Sequence, residues 1–217
     1  MASWLQTGQG VQKGIGIKMK IYFIRHAPTS ANLTGTMAAG YDDADITLLD
    51  KPDDWEERVG CHIPEEARRI IISSPTRRCM STAKMLFDRY PDEVSNELGE
   101  FDCKGLGARK FWEITREEFE KLVPLRSSTM KLRIKAILSE LANNVKHENG
   151  VDSFVAVSHG MVIRYLYHYI NGNPGISAYD IINSTGFRFS NLDLLVVDTD
   201  QMKTESCHWQ DPVNHSA

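Results

Sequence analysis

Three short apolar runs constrain the fold of this 217-residue chain more than any other feature of its sequence. They cover residues 21–24, 70–72 and 154–157, and they are rich in the β-branched and aromatic side chains typical of buried strands. Helical periodicity follows them, most clearly over residues 128–147 and 161–170. Strands that alternate with helices predict a layered α/β domain with a largely parallel sheet.

The first run leads directly into Arg25 and His26, and Pro28 then prevents a simple continuation of the strand. Both side chains are therefore expected at the carboxyl end of a strand, where open α/β sheets bind their ligands. This stretch by itself is equally compatible with a basic pair that caps a strand end in solvent.

The other two runs also lead into residues with useful chemistry. After the second run, Ser74 and Pro75 are suited to the N-cap and first position of a helix, which places Arg78 in the first helical turn. His159 follows the third run. Because the carboxyl ends of parallel strands share one edge of the sheet, these groups are expected to converge with the basic pair of the first run.

Such a cluster is suited to phosphate chemistry. Arginine forks match phosphate oxygens two at a time. A histidine can act as a nucleophile that forms a covalent intermediate, and a nearby carboxyl group can give a proton to the leaving oxygen. The cluster therefore predicts an anion site with the groups needed for phosphoryl transfer.

Charge and composition argue against several other classes of function. A formal net charge of −4 is unlike that of a general nucleic-acid or membrane-surface binder, and no apolar stretch approaches the length of a membrane span. The four cysteines are widely spaced and form no CxxC pair, which argues against a structural zinc site. Free thiols are typical of a reducing cytosol, so a cytoplasmic protein is expected.

One domain is expected over residues 19–200. The Gly- and Gln-rich segment 1–18 is expected to be a poorly ordered N-terminal extension, and the polar segment 201–217 a peripheral tail. Near the end of the domain, residues 187–190 and 192–198 are expected to form a pair of joined strands.

Four motifs, taken in order, give the chain a resemblance to a known family. The motifs are Arg25-His26-Ala27-Pro28-Thr29 with Asn32, Ser73-Ser74-Pro75-Thr76-Arg77-Arg78 with Thr82-Ala83, Leu98-Gly99-Glu100, and Ser158-His159-Gly160. They resemble the histidine phosphatase superfamily, in its phosphoglycerate-mutase-like branch (branch 1), over residues 19 to about 190. The resemblance implies a three-layer sandwich around a mostly parallel central sheet.

The resemblance also implies a role for each matching residue. His26 resembles the phosphorylated nucleophile and Glu100 the general acid, while His159 joins the clamp around the phosphate. The implied phosphate-binding residues are Arg25, Asn32, Arg78 and Gly160. The resemblance implies no metal ion and no cofactor, and it implies a small phosphorylated metabolite as the binding partner.

Departures from the family pattern bear on the same site. Ala27 stands where the family usually has glycine, which alters the strand end if that position needs a positive φ. Segment 33–50 matches the family poorly, and a long loop beside a strand end is a candidate substrate wall. Asp102, two residues after Glu100, is an alternative proton donor.

The residues after Glu100 favour a phosphatase over a mutase. Mutases of the family usually carry an arginine-containing segment there, which holds the carboxylate of phosphoglycerate. This chain continues Phe101-Asp102-Cys103-Lys104-Gly105. We therefore expect phosphomonoester hydrolysis through a phosphohistidine, with mutase-type phosphoryl transfer as the alternative.

Two further functions stay open from the sequence. Cys103 and Arg109 have the C-x5-R spacing of a cysteine-dependent phosphatase loop, although no apolar strand precedes Cys103. The second open function is that of a non-catalytic relative that only binds phosphate. A pure binder, however, needs no proton donor beside a nucleophile. Sugar phosphates, nucleotide monophosphates, α-ribazole phosphate and phosphoproteins are all open as substrates.

Overall fold

A six-stranded sheet lies at the centre of the computed structural model, which describes residues 18–37, 45–101, 103–107, 109–122, 127–183, 187 and 189–209. The strands are β1 (Lys20–Arg25), β2 (Ile71–Ser73), β3 (Glu93–Val94), β4 (Ser153–Ser158), β5 (Leu194–Asp198) and β6 (Lys203–Cys207). Their order is β3-β2-β4-β1-β5-β6, and β5 is antiparallel to the other described strands. The predicted, mostly parallel sheet is confirmed.

Eight described α-helices surround the sheet. They are α1 (Ser30–Thr34), α2 (Trp55–Arg58), α3 (Arg77–Phe87), α4 (Arg116–Leu122), α5 (Ser127–Lys135), α6 (Ala142–Asn149), α7 (Gly160–Ile170) and α8 (Ala178–Asn183). A π-helical segment, Ala136–Leu141, joins α5 to α6, so the long predicted helix is one helical stretch with an internal π segment. Gly150 ends that stretch in the left-handed conformation (φ 66°), which glycine adopts at little cost.

Alternate side chains of the central strands enter two separate cores, one on each face of the sheet. Ile21 and Phe23 of β1 pack with the core that α5 to α8 cover. Tyr22 and Ile24 pack with the core that α2 and α3 cover. Phe23 and Ile24 are fully buried, and burial of such a side chain stabilises a fold by roughly 1.5–3 kcal/mol. Helices on both faces make the three-layer sandwich that was predicted.

The carboxyl ends of β1, β2 and β4 lie at the same position along the sheet. Arg25 of β1 lies opposite Ser158 of β4, and Ser73 of β2 lies opposite Val157 of β4. The next backbone amide along the chain continues the pattern, because the His26 N–H donates to the Ser158 carbonyl (3.0 Å). Side chains that follow β1, β2 and β4 therefore emerge at the same edge of the sheet.

Two predictions near the C-terminus were wrong. The partner of β5 is not 187–190 but β6, within the segment predicted to be a peripheral tail. Thr204 and Ser206 of β6 point inward while Lys203 and Glu205 point to solvent, a polar alternation that an edge strand tolerates. Of the predicted N-terminal extension, only residue 18 lies within the described part of the chain.

Within the described residues, no helix combines the length and the apolar character needed to cross a membrane.

Candidate active site

His26 sits directly after β1 and is 5% exposed. Its Nδ1 lies 2.8 Å from the carbonyl oxygen of Ala27. Because a carbonyl oxygen only accepts hydrogen bonds, Nδ1 carries the ring proton and Nε2 keeps its lone pair. Burial, with added repulsion from Arg25 and Arg78, holds the pKa of His26 well below its usual value. The ring is therefore neutral near pH 7, with Nε2 available as a nucleophile.

Two guanidinium groups, those of the half-buried Arg25 and the buried Arg78, line the same cleft as this imidazole. Arg25 ends β1, and its Nη1 donates to the carbonyl of Phe189 (2.8 Å). The Nε of Arg25 is buried without a hydrogen-bond partner among the described residues. Arg78 is 1% exposed in the first turn of α3, as predicted. Two charges held in this way make a site that favours a doubly charged anion.

The segment before α3 does not begin the helix at Ser74 and Pro75 as predicted. The helix starts at Arg77 with Thr76 as its N-cap residue. Ser74 Oγ instead lies 2.8 Å from Nε2 of His159. The second serine of the motif thus orients a histidine from another strand end rather than capping its own helix.

His159 is fully buried at the end of β4. Cys79 Sγ packs 3.5 Å from its Nε2. Its ring lies edge-to-face with that of His26, with centroids 5.3 Å apart and planes at 62°. Burial, followed by the neighbouring His26, lowers the pKa of His159 well below its usual value. The two imidazoles are therefore packed together as neutral rings.

Glu100 supplies a carboxyl group to the same cluster. Its Oε2 lies 3.9 Å from Nδ1 of His159, and its Oε1 accepts from the backbone N–H of Phe101 (3.0 Å). Burial raises the pKa of Glu100 against the opposing effects of that N–H and of Arg78. A carboxyl group in this setting keeps its proton to a higher pH than an exposed one. Its rival Asp102 lies outside the described residues.

Asn32 lines the cleft from α1, where it also completes the N-terminal cap of that helix. Its Oδ1 accepts from the backbone N–H of Thr29 (3.1 Å) and from Nδ2 of Asn191 (3.4 Å). Because the oxygen is used inside the protein, the amide NH₂ of Asn32 is the end left for an anion in the cleft.

The position of Ala27 does not require glycine. It has no positive φ and is fully buried against the core beside α3. Its backbone N–H donates to Oγ1 of Thr82 (2.8 Å), which in turn donates to the carbonyl of Arg78 (2.6 Å). The extra methyl group therefore leaves the strand end intact and ties it to the helix that carries Arg78.

Gly160, by contrast, is a position where a side chain would intrude. A Cβ there would lie 3.1 Å from Nε and 3.2 Å from Cζ of Arg25. The glycine lets the first turn of α7 approach the guanidinium closely.

Three cleft residues were not predicted. Asn191 donates from Nδ2 to the carbonyl of His26 (2.7 Å). Arg164 on α7 donates to the carbonyls of Ile182 (3.2 Å) and Phe189 (3.3 Å). Trp209 lies just beyond β6 and also lines the cleft. A lone asparagine, a helical arginine and a terminal tryptophan carry no distinctive pattern, so no local signal marks them.

The structure does not assemble the cysteine-dependent alternative. Cys103 is buried and leads into a 3-10 turn, Lys104–Leu106, and no described strand leads directly into it. Arg109 donates to Glu118 (3.0 Å) and to the carbonyl of Glu113 (3.1 Å). An arginine committed in this way does not form a phosphate loop with the thiol.

Comparisons with known proteins identify a family and a fold for the chain. A family model described as the histidine phosphatase superfamily (branch 1) matches residues 21–211. A phosphoserine phosphatase from Entamoeba histolytica, solved in complex with 3-phosphoglyceric acid, is 19% identical over 82% of this chain and 89% of that one, with a TM-score of 0.61. A candidate alpha-ribazole-5'-P phosphatase from Escherichia coli is 18% identical over 86% and 93%, with a TM-score of 0.57. A comparison with curated proteins gives no match.

Proposed function

The chain belongs to the histidine phosphatase superfamily (branch 1), and from that membership and the geometry of its cleft we propose that it hydrolyses phosphomonoesters through a phosphohistidine on His26. The observation that carries the proposal is the state of His26. Burial lowers the pKa of the ring well below its usual value, its Nδ1 faces the carbonyl of Ala27, and the cleft that it lines also contains the half-buried Arg25 and the buried Arg78. A metal-free covalent route needs such a nucleophile.

In the first half of the proposed reaction, Arg25 and Arg78 bind the phosphate of the ester and His26 Nε2 attacks phosphorus. The N–P bond forms as the bond to the ester oxygen breaks. Glu100 gives its proton to that oxygen, and the alcohol leaves. The raised pKa of Glu100 suits it to this donation. The arginines stabilise charge that builds up on the phosphoryl oxygens in the transition state.

In the second half, Glu100 is a carboxylate and takes a proton from water. The water oxygen attacks phosphorus, the N–P bond breaks, and inorganic phosphate leaves with His26 restored to its neutral form. His159 lies against His26, and its neighbours Ser74 and Cys79 fix its orientation. We assign His159 to the phosphate clamp together with Asn32 and Gly160.

Hydrolysis is favoured over a mutase reaction by the residues that follow Glu100. Phe101 and Cys103 are buried apolar neighbours there. The stretch from Phe101 to Gly105 lacks the arginine that would retain a phosphoglycerate for a second transfer.

The proposal is tested with the purified chain and a radiolabelled phosphomonoester, by quenching in alkali and in acid. We expect label on the chain that survives alkali and is lost in acid, as a phosphoramidate bond requires, together with release of inorganic phosphate. Interconversion of 2- and 3-phosphoglycerate with little phosphate release would instead support the mutase. Phosphate-analogue binding without turnover on a metabolite panel would support a non-catalytic binder.

The close contact between Gly160 and Arg25 gives a second expected result. Gly160→Ala places a methyl group against the guanidinium, so kcat/KM is expected to fall roughly tenfold through misplacement of the clamp. The melting temperature should not fall much, because alanine favours a helix. Gly175→Ala is the matched control, since a Cβ there meets nothing within 4 Å. Full activity in Gly160→Ala would mean that this contact does not position Arg25.

The cytoplasmic location stays a prediction.

A further inference from the structure

The cleft is larger than its phosphate site. It has a volume of about 700 Å³. Pockets of roughly 300–1,000 Å³ enclose whole drug-sized ligands. A phosphate held by Arg25, His26 and Arg78 fills only one end of such a space. The organic part of the ester therefore lies within the protein rather than in bulk solvent.

Apolar side chains line the cleft beyond the phosphate site. We call them the apolar wall, and they are Leu33, Met37, Phe111, Met161, Ile182 and Trp209. Leu33 is 70% exposed and Phe111 is 39% exposed, although both border the same cavity. A bridge between Thr36 and Lys110 joins the two segments that carry them. Exposed apolar side chains grouped around a cavity are typical of a ligand surface.

Trp209 is held in place by hydrogen bonds at both ends. Its backbone N–H donates to Oδ1 of Asp193 (2.9 Å), and its indole Nε1 donates to Asp54 (2.9 Å). His208 Nδ1 lies 2.7 Å from the other oxygen of Asp193, which is fully buried. A tryptophan fixed in this way offers a preorganised apolar face at little entropic cost on binding.

Among the described residues, the charged side chains of the cleft do not provide a site for a second anionic group. Of the described residues that line it, the cations are Arg25, Arg78 and Arg164. The first two belong to the phosphate site, and Arg164 is committed to two backbone carbonyls. A carboxylate on the substrate would lose its hydration in a cleft that also contains Glu100, without a dedicated cation to replace it.

We propose that the preferred substrates are phosphomonoesters whose organic part is uncharged and apolar, bound against the apolar wall, rather than phosphorylated carboxylic acids. This inference rests on the proposed phosphatase function. It separates the chain from a neighbour such as the Entamoeba phosphoserine phosphatase, whose structure contains 3-phosphoglyceric acid.

The test compares kcat/KM for 3-phenylpropyl phosphate, propyl phosphate and 3-phosphoglycerate. The first two release primary alcohols of similar acidity, so their ratio reports binding of the phenyl ring and not leaving-group reactivity. We expect a ratio of about ten or more, because an apolar pocket distinguishes even small apolar groups by that factor. The value for 3-phosphoglycerate should be lower than that for 3-phenylpropyl phosphate.

Phe111→Ala and Trp209→Ala should each bring the ratio down towards one, with thermal melting as the check that both variants fold. Leu132→Ala is the matched control, since Leu132 is 67% exposed on α5 and does not line the cleft. It should leave the ratio unchanged.

Two outcomes would overturn the inference while the phosphatase function stands. One is equal kcat/KM for the two alkyl phosphates. The other is a preference for 3-phosphoglycerate that disappears in Arg164→Gln, which would assign a carboxylate site to Arg164. Failure to hydrolyse any of the three esters, or any other phosphomonoester, would overturn the proposed function and this inference with it.

Discussion

Replacing His26 with alanine is expected to lower kcat/KM by roughly 10⁴-fold or more, the scale seen when a covalent nucleophile is removed. The reason is that no other described side chain that lines the cleft offers an unprotonated nitrogen beside Arg25 and Arg78. His159 is fully buried behind His26, with its Nε2 2.8 Å from Ser74 Oγ. Steady-state phosphate release checks the rate. Acid-labile label on the chain should be absent.

Control variants distinguish the loss of activity in His26→Ala from a folding defect, and they test Cys103 as the alternative nucleophile. His147→Ala removes an exposed histidine on α6 and should leave activity unchanged. Cys103→Ser should keep most of the activity, since Cys103 is assigned no chemical step. Inorganic phosphate should still bind to His26→Ala, because both arginines remain. If Cys103→Ser were inactive and His26→Ala active, the nucleophile assignment would be reversed.

The central strands of the sheet could be predicted because neighbouring residues in the sequence are enough to identify them. A buried parallel strand must be apolar on both faces, so residues 21–24 and 154–157 read as continuous β-branched and aromatic runs. The groups that follow them converge because parallel strands end together. Edge strand β6 was missed for the opposite reason. Its inward side chains Thr204 and Ser206 are polar, so it has no apolar pattern.

The parts of the site that escaped prediction depend on contacts between distant segments. Asn191 reaches the carbonyl of His26 from 165 residues away in the chain. Ser74 was predicted to cap a helix from its neighbours in sequence, but it bonds to His159, 85 residues further on. Ala27 departs from the family motif, but this departure does not change the strand end. Its φ is not positive, so the position does not require glycine.

Glu100→Gln is expected to cut kcat/KM for alkyl phosphates by about 10²–10⁴-fold, the usual contribution of a general acid. With p-nitrophenyl phosphate, whose leaving group needs no proton, the first turnover should stay fast. Later turnovers should slow, because glutamine takes no proton from water. A stopped-flow burst of about one p-nitrophenolate per chain, with label retained on His26, is the measurement.

The pH profile of kcat/KM independently tests the assignment of Glu100 as the general acid. In the free enzyme Glu100 must be protonated and His26 neutral, so kcat/KM falls as pH rises through the pKa of Glu100 and as pH drops through that of His26. Burial raises the first pKa and lowers the second, which widens the pH range in which both groups are in the required state. Glu100→Gln should remove the alkaline limb and keep the acidic one, whereas Asp102→Asn should keep both. If the alkaline limb vanished only in Asp102→Asn, the proton donor would be Asp102.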